Sequence, residues 1–445
     1  MRIRNLAAIG LAGSLLLAAC GSDDDDDEAS SDGGSGGGEH PTYEAPPEDT
    51  EGTLRIWVNG PDTPESMRTF AEEAFEERYP NVDVQFEEQE WDGLAARLTS
   101  SLASDDSPDI VEMGNTQTPL FASAGALADL TSVTEDLGGD DLTDALVDSG
   151  TYDDSLYATP LYGAARIVIY RKDLFEQAGL EIPTTMEDFI AAGETLQEEN
   201  SSTPNFSGIY FPGRNWHGML SFLWDNGGEI AVQEDGEWVG QLTSDESIAA
   251  LETVQGIMQD ANQAPADGDD AEDYLEFCAG EIGMMATAAW KLGAGVLAEE
   301  GGCAAEMEGK VGAFALPGSD GESAPVFLGG SNIGVSANSQ NPDLAVEFLK
   351  LITSTEFQEQ YADAGLFPGR ESLYELVTGE GVPGEAVQAQ ADAIVNAQAV
   401  PASENWGEVE EQNILQDMGT AIANGEDVAD AAEAANEEIE RILNQ

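Results

Sequence analysis

Basic side chains are scarce in this chain of 445 residues. Only 15 lysines and arginines stand against 88 aspartates and glutamates, which gives a formal net charge of −73. Such a charge repels the phosphates of nucleic acids and the head groups of anionic lipids, and it argues against nucleic acid as a partner. The apolar fraction of 41% is ordinary for a globular protein, so we expect a folded chain with an unusually acidic surface. Such a surface would suit concentrated salt or another harsh exterior.

Histidine and cysteine are scarce as well. The two histidines, His40 and His217, lie far apart in the sequence, and neither belongs to a cluster of metal ligands. The chain carries no nucleophile elbow, no phosphate-binding glycine loop and no zinc-protease helix. The acidic residues could supply a glycosidase pair, but no pair stands out. We therefore expect no metal, no cofactor and no enzymatic activity.

Long hydrophobic runs are limited to the start of the chain. The apolar stretch Leu6–Ala19 follows Arg2 and Arg4. Its length of about 14 residues is too short for a permanent span of a bilayer core that is roughly 30 Å thick. This pattern is typical of an export signal, and we predict a signal peptide over residues 1–19.

The end of that stretch indicates how the exported protein is held. The segment Leu17-Ala18-Ala19-Cys20-Gly21 resembles the lipobox of bacterial lipoproteins, in which the cysteine receives a diacylglyceryl group and becomes the first residue after cleavage. An ordinary small-residue cleavage site beside an accidental cysteine is the alternative. Residues 20–52 are rich in Gly, Ser, Asp and Pro, which predicts a disordered acidic tether after the lipidated Cys20.

The two remaining cysteines, Cys278 and Cys303, form an even pair in an exported chain. Such a pair predicts a disulfide that closes a loop of about 25 residues. Two free buried thiols are the alternative.

Apolar periodicity predicts strands and helices in alternation. The first five elements in the order β-α-β-α-β are Thr53–Val58, Glu65–Tyr79, Val82–Phe86, Trp91–Ala103 and Asp109–Met113. This order favours a parallel sheet covered by helices, and the chain length favours division into two lobes. The fold class predicted is therefore α/β.

Several segments, in their order along the chain, resemble the extracellular solute-binding proteins of carbohydrate ABC importers, the group that includes maltose-binding protein. They include T-L-R-I-W-V-N-G, S-P-D-I-V, Y-D-D-S-L-Y-A-T-P-L-Y, F-C-A-G-E-I-G-M-M-A-T-A-A-W and A-V-E-F-L-K-L-I-T-S. The resemblance covers almost all of residues 53–445. It implies a periplasmic-binding-protein fold of two α/β lobes, joined by crossover hinge segments and separated by a ligand cleft. We assign residues 53–161 plus 285–329 to the N-terminal lobe, and residues 162–284 plus 330–445 to the C-terminal lobe.

The resemblance also implies a function. The protein would capture a mono-, di- or oligosaccharide by lobe closure and deliver it to the permease subunits of an ABC importer. It would be a monomer, anchored by lipid to the outer face of the cytoplasmic membrane. Gly163-Ala164-Ala165 occupies the stretch where maltose binders place a carboxylate, which argues against maltose. A polyol or glycerol phosphate is an alternative cargo, although Arg166, Arg214 and Arg370 are the only obvious bases for a phosphate. A secreted carbohydrate-active hydrolase or a surface scaffold would be a function of a different class.

Sugar rings have apolar faces that stack on aromatic side chains and hydroxyl groups that pair with planar polar side chains. In parallel sheets such ligand residues lie after the carboxyl ends of strands. The candidates at these positions are Asn59, Asp62, Glu90, Trp91, Asn115 and Gln117. For each one, an ordinary loop or helix-cap residue is the alternative.

By resemblance, further ligand candidates lie at the crossovers and in the second lobe. They are Tyr162, Arg166, Trp216, Trp290, Gly330, Ser331, Arg370 and Trp406. Core packing is the alternative for the tryptophans, and a surface salt bridge is the alternative for Arg370.

Overall fold

A computed structural model of the chain describes residues 40–60, 63–91, 93–298, 301–363, 366–377 and 383–445. The predicted signal peptide, the predicted lipidation site Cys20 and most of the predicted tether lie outside these residues. No helix among the described residues is long and apolar enough to cross a membrane.

The described chain forms a mixed α/β structure. Its strands are β1 (Glu51–Asn59), β2 (Asn81–Gln89), β3 (Ile110–Gly114), β4 (Thr151–Tyr152), β5 (Ser155–Leu156), β6 (Ala158–Arg171), β7 (Ser207–Tyr210), β8 (Ala231–Glu234), β9 (Glu237–Gly240), β10 (Ile282–Ala288), β11 (Val311–Phe314), β12 (Leu328–Val335) and β13 (Phe367–Pro368). Its helices are α1 (Glu65–Arg78), α2 (Leu94–Leu102), α3 (Thr118–Ser123), α4 (Thr134–Leu137), α5 (Asp144–Gly150), α6 (Lys172–Ala178), α7 (Met186–Glu199), α8 (Trp216–Asp225), α9 (Asp245–Asp260), α10 (Asp273–Ala279), α11 (Ala304–Met307), α12 (Pro342–Ile352), α13 (Thr355–Asp363), α14 (Gly384–Ile394), α15 (Trp406–Glu411), α16 (Ile414–Ala423) and α17 (Val428–Leu443). Short segments of 3-10 helix and a π-helical turn over Lys291–Val296 complete the secondary structure.

The predicted β-α-β-α-β unit is confirmed. Strand β1 pairs in parallel with β2 on one side and β3 on the other. Helix α1 buries Met67, Ala71 and Phe75, which are spaced four residues apart and so share one face. The ring of Phe75 meets Phe348 of α12 edge-on, with centroids 5.2 Å apart.

One sheet continues through both halves of the molecule, in the order β2-β1-β3-β12-β6-β10-β7. The long strand β6 carries the continuity because it changes partners midway. Up to Ala165 it pairs antiparallel with β12, and from Arg166 onward it pairs antiparallel with β10. At the crossing of β6 and β12, a methyl group on Gly330 would lie 2.4 Å from the carbonyl oxygen of Tyr162, so this close approach requires glycine. The change of partner between Ala165 and Arg166 marks the hinge strand between the lobes.

The buried cores show which segments belong to each lobe. In the first lobe, residues of α12 and α13 pack with β1, β2 and α1. In the second lobe, residues of β10, the π-helical turn, α11 and β11 pack with the second half of β6. Residues 285–314 therefore lie with the second lobe and residues 330–363 with the first, which differs from the lobe boundaries predicted above. The reason is long-range pairing, because β10 joins Arg166–Tyr170 whereas β12 joins β3.

The last part of the predicted tether is packed onto the first lobe. Tyr43 is half-buried beside the first-lobe core, and its hydroxyl donates to the carbonyl of Asp129 over 2.9 Å. The ring of His40 lies 2.8 Å from the Asp129 carboxylate. Strand β1 already begins at Glu51. The prediction of a disordered tether over residues 20–52 is therefore wrong for residues 40–52.

A disulfide joins Cys278 on α10 to Cys303, the residue before α11, with their Cα atoms 5.6 Å apart. It closes a loop that contains β10 and the π-helical turn. The bond therefore ties α10 to the segment that follows Trp290.

Candidate functional site

The carboxyl ends of strands from both lobes meet at the hinge. Gly114, at the end of β3, pairs with Ser331, which in turn pairs with Tyr162 on β6. Ala288, at the end of β10, pairs with Arg166, four residues further along β6. Four residues of strand span about 13 Å, so the loops after β3 and β10 lie on either side of a short gap. This arrangement is the cleft position expected for an open α/β sheet.

Two exposed tryptophans lie at these strand ends. Trp91 is 39% exposed and Trp290 is 48% exposed, whereas the other five tryptophans are buried or partly buried. A methyl group on Gly114 would lie 3.7 Å from the Trp91 ring, so this ring rests against the end of β3. Trp290 lies two residues after the end of β10 and directly precedes the π-helical turn. Each lobe thus presents one large apolar ring to solvent near the hinge.

Amide side chains accompany Trp91 in the first lobe. Asn59 is buried and joins β1 to β3, because its backbone N–H donates to Glu112 Oε2 over 2.8 Å and its side-chain amide donates to the carbonyl of Glu112 over 3.2 Å. Asn115 donates to the carbonyl of Leu328 over 2.9 Å, which links the loop after β3 to the crossover strand β12. Gln117 is half-buried, and its side-chain oxygen accepts no hydrogen bond from the described residues. The side-chain oxygen of Asn59 likewise accepts no hydrogen bond from the described residues, and both oxygens are buried.

The crossover candidates are packed into the hinge. Ser331 is buried, and its hydroxyl donates to the Tyr162 hydroxyl over 3.1 Å. Tyr162 is also buried and packs on the ring of Tyr361 with centroids 5.5 Å apart. These contacts connect β12, β6 and α13 at the hinge. They leave the backbone around Gly330, which is partly exposed, as the accessible part of this crossover.

Trp216 and Trp406 belong to an aromatic cluster inside the second lobe. Trp406 is fully buried, Trp216 is 6% exposed, and their ring centroids lie 6.1 Å apart. The imidazole of His217 stacks on Trp216 with centroids 3.9 Å apart and also packs against Phe327. Burial, followed by the nearby Arg166 charge, lowers the pKa of His217 to about 3, so this ring is neutral at physiological pH. The geometry matches the core-packing alternative for both tryptophans.

Arg166 is buried and lies within the second lobe. Its guanidinium donates to Asp270 Oδ2 over 2.5 Å, to Asn215 Oδ1 over 3.1 Å and to the carbonyl of Ala286 over 3.1 Å. Burial opposes ionisation of Asp270, but the charges of Arg166 and Lys291 outweigh it and hold the pKa of that carboxyl well below its ordinary value. The structure thus uses Arg166 to bind a carboxylate of the protein.

The remaining predicted ligand residues lie at the periphery. Arg370 pairs with Asp141 over 3.0 Å and donates to the carbonyl of Thr353 over 2.5 Å, which matches the salt-bridge alternative. Glu90 is exposed beside Trp91. Asp62 lies outside the described residues.

The two lobes also touch directly where the loop after β3 meets residues 399–402. A narrow space there is lined by Asn115, Thr116, Pro119 and Ser149 of the first lobe and by residues 399–402 of the second. Glu410 on α15 accepts from the indole N–H of Trp406 over 2.7 Å and also bonds to Thr116. Burial raises the pKa of this carboxyl. Glu410 therefore joins the buried second-lobe aromatics to the first lobe.

Sequence reasoning missed three of these residues, Asp270, Lys291 and Glu410. Asp270 and Glu410 lie in acidic runs where no single carboxylate stands out. Lys291 could have been noticed in the sequence, because it directly follows a predicted sugar-stacking tryptophan in a chain that has only 15 basic residues. Among the described residues, no group of three or more metal-ligating side chains comes together.

Comparison with known proteins agrees with this architecture. The chain is 33% identical to the diacetylchitobiose binding protein DasA of Streptomyces coelicolor over 399 residues, which are 88% of this chain and 90% of that protein. A probable ABC transporter-binding protein of Deinococcus radiodurans is 28% identical over 52% of this chain and 55% of its own length. The sugar-binding protein MalE of Xanthomonas citri has the same fold, with a TM-score of 0.75 at 21% identity over 88% of this chain and 97% of that one.

A second solved structure, the GacH receptor of Streptomyces glaucescens, superposes with a TM-score of 0.71 at 23% identity over 89% of this chain and 99% of that one. Both superpositions confirm the two-lobe fold. The family model for the bacterial extracellular solute-binding protein matches residues 60–359. The chain therefore belongs to the family of bacterial extracellular solute-binding proteins.

Proposed function

We propose that this protein is the sugar-capturing subunit of an ABC importer. The observation that carries the proposal is the pair of exposed tryptophans, Trp91 and Trp290, at strand ends of opposite lobes beside one hinge strand. Exposed indole rings suit the C–H faces of pyranose rings, and the amide of Gln117 suits their hydroxyl groups. A short oligosaccharide held between the lobes would contact both rings.

Diacetylchitobiose is the ligand that we propose first. The relative named for this disaccharide shares 33% identity over 88% of the present chain. Two linked rings offer one apolar face to each tryptophan, and the acetamido groups offer a donor and an acceptor to side-chain amides.

The arginines argue against a phosphorylated cargo. Arg166 binds Asp270, Arg370 binds Asp141, and Arg214 bonds to Asn413 over 2.7 Å with Asp417 at 3.7 Å. A phosphate would have to displace the acidic or amide partners of these arginines, and the strongly negative charge of the whole protein would repel it. A neutral sugar meets no such obstacle.

Capture requires no bond-breaking step. A ligand that contacts both lobes favours the closed form by the difference between its affinities for the closed and open forms. The closed form would then be recognised by the permease. Among the described residues, β6 is the strand that both lobes share and the natural place for the bending motion.

The proposal includes the cellular location. Export by residues 1–19 and lipidation of Cys20 would hold the protein on the outer face of the cytoplasmic membrane, beside the permease. Replacing Cys20 by Ser should release the protein into the medium and leave ligand affinity unchanged. Retention of the variant on the membrane would contradict the lipid anchor.

Isothermal titration calorimetry tests the ligand. We expect saturable binding of diacetylchitobiose with one site per chain, and weaker or no binding of maltose, mannitol and glycerol 3-phosphate. Tight binding of mannitol, without binding of the sugars, would indicate that the cargo is a polyol. Release of monosaccharides from diacetylchitobiose during incubation would show the hydrolase alternative and overturn the proposal.

A further inference from the structure

A cluster of four charged side chains lies directly behind Trp290. It consists of Arg166, Asp270, Asp273 and Lys291, and we call it the buried charge cluster. The ammonium of Lys291 lies 3.1 Å from Asp273 Oδ1 and 3.7 Å from Asp270 Oδ2, and it also donates to the backbone carbonyl of Asp270. Arg166 binds the other side of the Asp270 carboxylate. The cluster thus combines two basic and two acidic side chains.

The cluster is shielded from water. The side chains of Asp273, Lys291 and Arg166 are 2%, 4% and 8% exposed, and that of Asp270 is 17% exposed. Ions lose favourable hydration on burial, so a cluster of this kind adds little to stability compared with apolar residues of the same size. The chain nevertheless places two of its 15 basic residues here. Stability alone is a weak reason for this arrangement.

The contacts of the cluster point to a positioning role. Arg166 is the residue at which β6 leaves β12 and joins β10, and it also holds the carbonyl of Ala286 on β10. Asn215, which accepts from Arg166, also caps helix α8 by accepting from the N–H of Gly218 over 3.0 Å. The cluster thus fixes the start of the second-lobe half of the hinge strand to β10 and α8.

Lys291 extends this connection to the exposed ring. It follows Trp290 in the sequence, and its ammonium lies 5.9 Å from the centroid of the Trp290 ring. Its side chain is bound in the cluster while the ring of Trp290 remains 48% exposed. Because adjacent residues share a planar peptide unit, holding Lys291 restricts the backbone from which the Trp290 ring extends.

We infer that Asp270, Lys291 and Arg166 are positioning residues that hold the Trp290 ring in place for sugar stacking and fix it relative to the hinge strand. This inference rests on the proposed function, because it assigns the cluster a role in sugar affinity. Arg166 then acts through Trp290 and makes no contact with the ligand. Asp270 is the key member, because it contacts both basic side chains.

A double-mutant cycle between Asp270 and Trp290 tests the inference. We expect Asp270→Asn to weaken diacetylchitobiose binding about tenfold, a loss similar to that caused by Trp290→Ala. In the Trp290→Ala background, the same Asp270→Asn change should weaken binding by less than about twofold, since the ring that it positions is absent. Equal losses in both backgrounds would overturn the positioning role and indicate general damage to the lobe.

Asp173→Asn is the matched control. Asp173 pairs over 2.6 Å with Arg171, the last residue of the same strand, and its side chain is 37% exposed. This variant loses one ion pair of β6 without touching the cluster, so we expect unchanged affinity. The variant Lys291→Arg preserves the charge and should retain more affinity for diacetylchitobiose than Lys291→Met.

Hydrogen exchange separates this inference from the proposed function. Without any ligand, Asp270→Asn should speed exchange of the backbone amides in residues 286–298, and Asp173→Asn should not. Faster exchange together with no binding of any sugar to the wild type would contradict the proposed function alone. Unchanged exchange in Asp270→Asn would overturn the positioning role even if the wild type binds diacetylchitobiose.

Discussion

The two lobes present the same type of side chain to the cleft by different means. In the first lobe, Trp91 rests against Gly114 at the end of β3 and lies beside the exposed Glu90. In the second lobe, Trp290 extends from a segment that is held by buried ions and by the disulfide between Cys278 and Cys303. Both rings lie two residues beyond the end of a strand, Trp91 after β2 and Trp290 after β10 at the start of the π-helical turn. The comparison shows that rings at equivalent places after a strand are held by different contacts, strand packing in the first lobe and buried ions with a disulfide in the second.

The largest effect on stability is expected deep in the second lobe. Trp406→Ala removes a fully buried ring and the indole donor of Glu410, and should lower the free energy of unfolding by about 3–5 kcal/mol. Trp290→Ala removes an exposed ring and should cost less than about 1 kcal/mol. Urea unfolding monitored by circular dichroism measures both values. A stable Trp406→Ala variant with weakened sugar binding would restore Trp406 as a ligand residue.

Loss of the disulfide should affect the second lobe alone. The two cysteines, Cys278 and Cys303, are 25 residues apart in the sequence. Replacing both by Ala opens the loop that they close and should lower the free energy of unfolding by roughly 3 kcal/mol. Because the loop contains Trp290, we also expect weaker sugar binding, whereas quenching of Trp91 fluorescence by ligand should persist. Calorimetric unfolding and a fluorescence titration of the variant measure these two effects. Unchanged affinity would show that the disulfide does not support the platform.

The two platforms should contribute similarly to affinity. Trp91→Ala and Trp290→Ala each remove one stacking surface and should each weaken diacetylchitobiose binding by about 1.5 kcal/mol, near tenfold. Titration calorimetry with Trp238→Ala as the control gives the comparison, since Trp238 lies on β9. An effect confined to one of the two variants would place the ligand in one lobe.

The acid stability of the second lobe depends on His217. His217 has a pKa near 6.5 when unfolded and about 3 in the folded protein, so the unfolded chain binds more protons between these values. Stability should therefore fall as the pH drops from 6.5 towards 3, by at most about 1.4 kcal/mol per pH unit from this group. Thermal unfolding of wild type and His217→Gln over pH 7 to 4 measures the difference. Parallel pH profiles would show that His217 titrates normally.

The sequence allowed prediction of elements that depend on local pattern. The first β-α-β-α-β unit followed from apolar spacing within single segments such as Leu54, Ile56 and Val58. The lobe boundaries did not, because the exchange of partners at Arg166 depends on pairing with β10, more than a hundred residues away. Trp406 is flanked by polar residues in P-A-S-E-N-W, and nothing local indicates that tertiary packing buries it completely. Partner choice and burial are tertiary properties, and they decided which aromatic side chains remain available.

Small-angle X-ray scattering with and without saturating diacetylchitobiose tests the central claim most directly. If the sugar is bound between Trp91 and Trp290 across the hinge strand, the ligand should reduce the radius of gyration of the wild type, and this reduction should be lost in the double variant Trp91→Ala/Trp290→Ala. A radius of gyration that stays the same while calorimetry shows bound sugar would contradict capture between the two lobes.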